Sequence, residues 1–133
     1  MTRSFRLISI ALITTLFALA GTVHAESRFE EFTPERFQSL QEQGRSVLIN
    51  VWAPWCPTCR NQGPKLEALL AEPAFSEFAG LKLHWDDQRT LAKGLGAPRQ
   101  STVFIFKGAD QRAMSVAETN IDRLRDVLKT GLD

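Results

Sequence analysis

The chain has little net charge, few metal-binding side chains and no apolar run long enough to cross a membrane, and each scarcity excludes something. Its formal net charge is +1 over 133 residues, so neither a nucleic-acid-binding surface nor an acidic interaction tail is indicated, and no nucleic-acid partner is expected. Only two cysteines and two histidines are present. No internal repeat, low-complexity tract or interdomain linker breaks the pattern, which excludes solenoids and tandem arrays. The length suits one compact domain and is too short for two well-cored ones. With 44% hydrophobic and 23% charged residues, the composition is that of a globular protein, not a disordered one.

The first 25 residues differ from the rest. Arg3 and Arg6 precede an apolar stretch, Leu7 to Ala20, broken only by Ser9, Thr14 and Thr15. That stretch is shorter than the roughly 20 residues of a membrane-spanning helix. Val23-His24-Ala25 then offers the spacing a signal peptidase reads. We expect residues 1–25 to be a signal peptide and residues 26–133 the mature domain, exported to a periplasmic or other extracytoplasmic compartment. An uncleaved N-terminal anchor is the competing reading. Cleavage removes two of 16 basic residues and none of the 15 acidic ones, leaving a net charge of −1. It also removes His24, so His84 becomes the only histidine, read here as a half-buried strand residue. Outside the cytoplasm, thiols tend towards disulfides.

Within residues 26–133 the pattern predicts β-α-β-α-β-α-β-β-α. Arg28 to Phe32 reads as a first strand. Thr33 is placed to cap a helix that Pro34 opens and Gly44 ends. "SVLINVW", Ser46 to Trp52, is a continuous β-branched run, as expected of a strand buried on both faces. A helix follows with Leu66, Leu69 and Leu70 at helical spacing, and Pro64 inside it predicts a kink. Leu81 to Asp86 reads as a third strand, and a short helix then ends on glycine. Thr102 to Lys107 and Gln111 to Ala117 read as a hairpin. A last helix starts near Thr119, with Asp122 in a capping box and an apolar stripe of Ile121, Leu124, Val127 and Leu128. The fold class is α/β, a central mixed sheet flanked by helices.

Both cysteines lie in "NVWAPWCPTCR", residues 50–60, where a buried strand runs into a helix. A lone C-x-x-C is compatible with a redox pair, half of a metal site or a structural disulfide. Four zinc ligands are needed, and with His24 removed the chain offers two cysteines and one distant histidine. A structural bridge would close a very small loop and stabilise little. The redox use fits better: Cys56 stands at a helix N-terminus, where unpaired N–H groups and the helix dipole favour a thiolate. Cys56 is expected to be exposed and to attack a substrate disulfide. Cys59, one turn into the helix, is expected to resolve the mixed disulfide. Pro57 suits the first helical turn, Thr58 completes the spacer, and Trp52 and Trp55 are placed to give apolar cover.

These residues carry a resemblance. "VLINVWAPWCPTCR" resembles the active-site segment of the thioredoxin superfamily, with "KLHWD" similar to its third strand, "TVFIFKGAD" to its hairpin, and Pro64 at the kink of its active-site helix. The wording is most similar to exported members that reduce disulfides in the cell envelope, including those serving cytochrome c maturation. The resemblance implies a thioredoxin-like fold and a protein-disulfide reductase acting on disulfide-containing proteins. It also implies re-reduction by a membrane-embedded thiol donor, and no dissociable cofactor or metal. A disulfide oxidase or isomerase is the alternative within the class, and a non-enzymatic binding module holding a metal ion or a partner protein through the same face is the alternative outside it. Nothing in the pattern demands a dimer, and a monomer is expected.

Three positions depart from that family. Asn50 stands where thioredoxins carry a buried aspartate, so a carboxylate relay is absent there; Lys82 falls where a lysine accompanies it. Ser101 aligns with the proline of the loop facing the cysteines, with Pro98 the alternative if a short insertion follows it. A cis bond before serine costs about 2.5–4 kcal/mol, so a trans bond is expected at Gln100–Ser101. Ala117 stands where a glycine often flanks the substrate groove.

Overall fold

A computed structural model describes residues 26–132; the expected signal peptide lies outside them. The organising element is β2, Ser46–Trp52, six of whose seven residues are buried. Around it run β1 (Phe29–Glu31), α1 (Pro34–Glu42), α2 (Pro57–Leu70), a 3₁₀ turn (Pro73–Phe75), β3 (Phe78–His84), α3 (Arg89–Leu95), β4 (Thr102–Lys107), β5 (Asp110–Val116) and α4 (Ile121–Lys129). The five strands form one sheet in the order β1-β3-β2-β4-β5. β1 and β2 lie parallel to β3, while β4 is antiparallel to both β2 and β5. The mixed sheet expected from the sequence is the one observed.

Alternation along the central strands sorts side chains to two faces. Val47, Ile49 and Val51 of β2 join Phe104 and Phe106 of β4 in a cluster covered by α1 (Phe37, Leu40) and α3 (Ala92). Leu48, Val103 and Ile105 point the other way, onto Leu66, Leu69 and Leu70 of α2 and Leu124 and Leu128 of α4. Each fully buried aliphatic side chain contributes about 1.5–3 kcal/mol, so α2 is clamped to the sheet along its C-terminal half. Gly80 permits this approach: a Cβ there would meet Arg28 O and Phe29 Cδ1 at 2.9 Å and Leu70 Cδ1 at 3.0 Å.

The boundaries differ from expectation in four places. β3 begins at Phe78 and ends at His84, so Trp85 and Asp86 lie beyond it; continuous pairing from Ser46↔Phe78 to Trp52↔His84 sets its length. β1 is three residues, from Phe29, level with Gly80, to Glu31, level with Lys82. β5 stops at Val116 because Ala117 adopts a left-handed φ of 57°. The cap of α4 is Asn120, whose side chain accepts from the N–H groups of Asp122 (3.0 Å) and Arg123 (3.1 Å). Asp122 is thus the second helical residue, one position too early to close a capping box. The cap of α1 is Thr33, accepting from Arg36 N–H at 3.1 Å, and α2 continues through Pro64 as one helix.

Candidate active site

Beyond Trp52 the chain turns, and Cys56 N–H donates to Ala53 O at 3.2 Å. Cys56 then caps α2 in an extended conformation (φ −84°, ψ 113°), and its Sγ accepts from the Cys59 N–H at 3.2 Å. Sulfur here takes the place of the serine or aspartate oxygen usual at an N-cap. The exposed Pro57 occupies the first helical position, where a missing N–H costs nothing, and the half-buried Thr58 the second. Cys59 is the third, so the two thiols share one helical turn.

The loop entering β4 supplies the facing group. Ser101 is fully buried, and its Oγ lies 3.2 Å from Cys56 Sγ and 2.9 Å from Cys59 Sγ. Its N–H donates to Val51 O at 2.7 Å, and all peptide bonds among the described residues, including Gln100–Ser101, are trans. Pro98 is exposed, three residues earlier in the loop. Ser101 has a φ of 63°, and Ala117, whose N–H donates to Ser101 O at 2.9 Å, has one of 57°. Two non-glycine residues in the left-handed region therefore meet directly beside the thiols, a conformation costing about 1–3 kcal/mol each.

Gln62, which the sequence reading passed over, secures this junction. It is fully buried on α2, and its amide nitrogen donates to Ser101 O (3.3 Å) and Glu118 O (2.9 Å). Its one available signal is its spacing, three residues after Cys59 and hence on the same helical face.

Cys56 is only 1% exposed and Cys59 7%, which corrects the expectation of an exposed leading thiol: Ser101 closes over both sulfurs. Trp55, the neighbour of Cys56 in the chain, is only partly packed. It is 53% exposed, its indole N–H tied to Asp86 Oδ2 at 2.7 Å. Trp52 is half-buried, with Lys82 Nζ 4.3 Å from its ring centroid and His84 packed edge-on at 5.1 Å. Asn50 is 3% exposed, and its Oδ1 has no protein partner. It pairs in register with Lys82 and Val103 and, with Trp52, Cys59 and Lys82, lines a cavity of about 670 Å³ behind the dithiol.

The surroundings separate the two thiols electrostatically. Burial works to raise the Cys56 pKa, but hydrogen bonds from the Cys59 thiol, the Ser101 hydroxyl and the Cys59 N–H outweigh it and hold the thiol below its ordinary value. Burial pushes the Cys59 thiol up, and its hydrogen bond with Cys56 adds to the rise. Of the two, Cys56 is therefore the more readily ionised thiol and Cys59 the one that holds its proton more tightly. Among the described residues, no three His, Cys, Asp or Glu side chains converge as metal ligands would.

The thioredoxin family model matches residues 28–130. The thiol:disulfide interchange protein DsbE of Escherichia coli is 39% identical over 96 residues, 68% of this chain and 51% of that protein. Thioredoxin of Porphyra purpurea is 37% identical over 65 residues, 49% of this chain and 60% of that one. The chain thus spans between half and two thirds of the length of these two relatives. The crystal structure of Trxlp from Edwardsiella tarda superposes with a TM-score of 0.73 at 30% identity, covering 75% of this chain and 97% of that one. With the capped dithiol, the five-stranded sheet and these matches together, the chain belongs to the thioredoxin family.

Proposed function

We propose that this protein is an exported thiol–disulfide oxidoreductase that reduces protein disulfides through a Cys56/Cys59 cycle. The observation that carries the reading is the asymmetric pair: Cys56 caps α2 with its pKa lowered, and Cys59 lies one turn behind with its pKa raised. The Cys56 thiolate attacks a substrate disulfide and forms a mixed disulfide, releasing one substrate sulfur as a thiolate that takes its proton from solvent. Cys59 then attacks Cys56 Sγ and releases the second, leaving Cys56–Cys59 oxidised. A membrane-embedded thiol donor returns two electrons. The signal-like residues 1–25 support the export part of this reading, and the likeness to DsbE, a thiol:disulfide interchange protein, supports the redox part.

Replacing Cys59 with serine tests it, because the first step is then trapped. Covalent adducts with disulfide-bearing proteins, dependent on Cys56 and released by a strong reductant, are expected; their absence overturns the reading. Direction is tested by equilibration with glutathione buffers, since about 30 mV corresponds to about 1.4 kcal/mol for this couple. A potential towards the thioredoxin end supports a reductase, and one near strong oxidants reverses the assignment.

A further inference from the structure

Resolution of the mixed disulfide leaves a proton to be moved. Cys59 must lose it to become a nucleophile, and the departing substrate sulfur must gain one. Asn50, buried and lining the same cavity as Cys59, is an amide that cannot ionise. The charged side chains around the site, three of which line the cavity beside Cys59, make their contacts with other groups, Glu67 with Ser27 and Arg28. Arg60 of α2 donates to Pro54 O, and Lys82 of β3 lies over Trp52. His84 is against Asp87, and Glu118 accepts from Thr119 and Asn120 N–H. Among the described residues, Ser101 is the one side chain in hydrogen-bond contact with both sulfurs, at 3.2 and 2.9 Å. A hydroxyl carries one donor and two acceptor sites, so it can accept from Cys59 S–H while donating towards Cys56. The Val51, Ala117 and Gln62 hydrogen bonds to its backbone hold it there.

We propose that the Ser101 hydroxyl is the proton-transfer group of the dithiol cycle. The inference rests on the redox reading above. As Cys59 Sγ bonds to Cys56 Sγ, the bond from Cys56 to the substrate sulfur breaks and its electron pair leaves on that sulfur. Ser101 Oγ takes the Cys59 proton and passes its own to the departing sulfur, ending unchanged. The dithiol supplies two electrons and the Cys59 proton, the first substrate thiolate takes its proton from solvent, and the substrate disulfide becomes two thiols. Ser101 thus does at the front of the pair what a carboxylate beneath it would otherwise do.

The test follows resolution of preformed Cys56 mixed disulfides by rapid quench and mass spectrometry, using two leaving groups. Glutathione leaves as a basic thiolate that needs a proton, whereas thionitrobenzoate leaves as a weakly basic one that does not. For Ser101→Ala we expect resolution of the glutathione adduct to slow about 10²-fold, the scale of general acid–base catalysis, and the thionitrobenzoate adduct to slow far less. Ser101→Thr, which restores a hydroxyl, should recover most of the loss. Ser101→Gly suits the φ of 63° and lacks the hydroxyl, so it repeats the measurement if the alanine variant fails to fold. Equal slowing of both adducts reduces Ser101 to a packing role and overturns the proposal, as does no slowing. Failure of the unmodified protein to form either adduct on Cys56 overturns the redox reading itself.

Discussion

Replacing Asn50 with aspartate changes charge and little else, because the two side chains have nearly the same shape. Asn50 lies in the middle of the sheet, paired with both β3 and β4, and is 3% exposed with an unpartnered Oδ1. Full burial raises a carboxyl pKa by as much as about 3–5 units. Lys82 on the adjacent strand and the cavity of about 670 Å³ beside it moderate that, so a rise of about 2–3 units is expected. At about 1.36 kcal/mol per unit, the charged variant should be less stable than the parent by about 3–4 kcal/mol. Between the unfolded value of about 3.9 and the raised folded value, the folded state binds more protons, so stability falls as pH rises. Urea unfolding of variant and parent, side by side from about pH 4 to pH 8, reads this directly: near-equal stabilities at the acid end, a widening gap, then a plateau above the folded pKa. A gap that does not change with pH refutes the reasoning, since the introduced carboxyl would then be ionising as freely as in the unfolded chain.

Ala117→Gly should stabilise the domain by about 0.5 kcal/mol: relief of a left-handed residue returns about 1–2 kcal/mol, and the unfolded chain's added freedom takes back about 0.4–1 kcal/mol. The melting temperature should then rise by about 2–4 °C, and a fall of that size counts against strain at the junction. Iodoacetamide labelling followed by peptide mapping should modify Cys56 at lower pH than Cys59, because only thiolates react and the two pKa values move in opposite directions. Equal or reversed labelling refutes the assignment of roles.

The order of elements was legible because each carries its own period or its own punctuation. β2 announces itself through an unbroken β-branched run, and α1 through Thr33, Pro34 and Gly44. β3 was harder: Phe78-Ala79-Gly80 has no strand signature, and only pairing along the full length of β2 extends the strand back to Phe78. The cap of α4 was missed by one residue, because Thr119 and Asn120 are both good caps and the local sequence does not choose between them. At the site, the cysteine spacing and the serine opposite were readable. The burial of Cys56 was not, since it depends on a loop 45 residues away closing over the sulfur. Gln62 was invisible for a similar reason: glutamine in a helix usually faces water, and its two carbonyl acceptors come from loops that meet only in the folded state.

The placement of β1 fixes how the chain enters the domain. Phe29 is level with Gly80, and Gly80 with Leu48, while the strand that leads to the cysteines ends at Trp52. At about 3.3 Å per residue, β1 therefore starts about 13 Å below the end of the sheet that carries the dithiol, and it runs upward towards that end. The residues just ahead of it are fastened sideways, Ser27 Oγ and Arg28 N–H both donating to the Glu67 carboxylate of α2. The first described residues are thus held against the flank of α2, and the chain enters the sheet from the side.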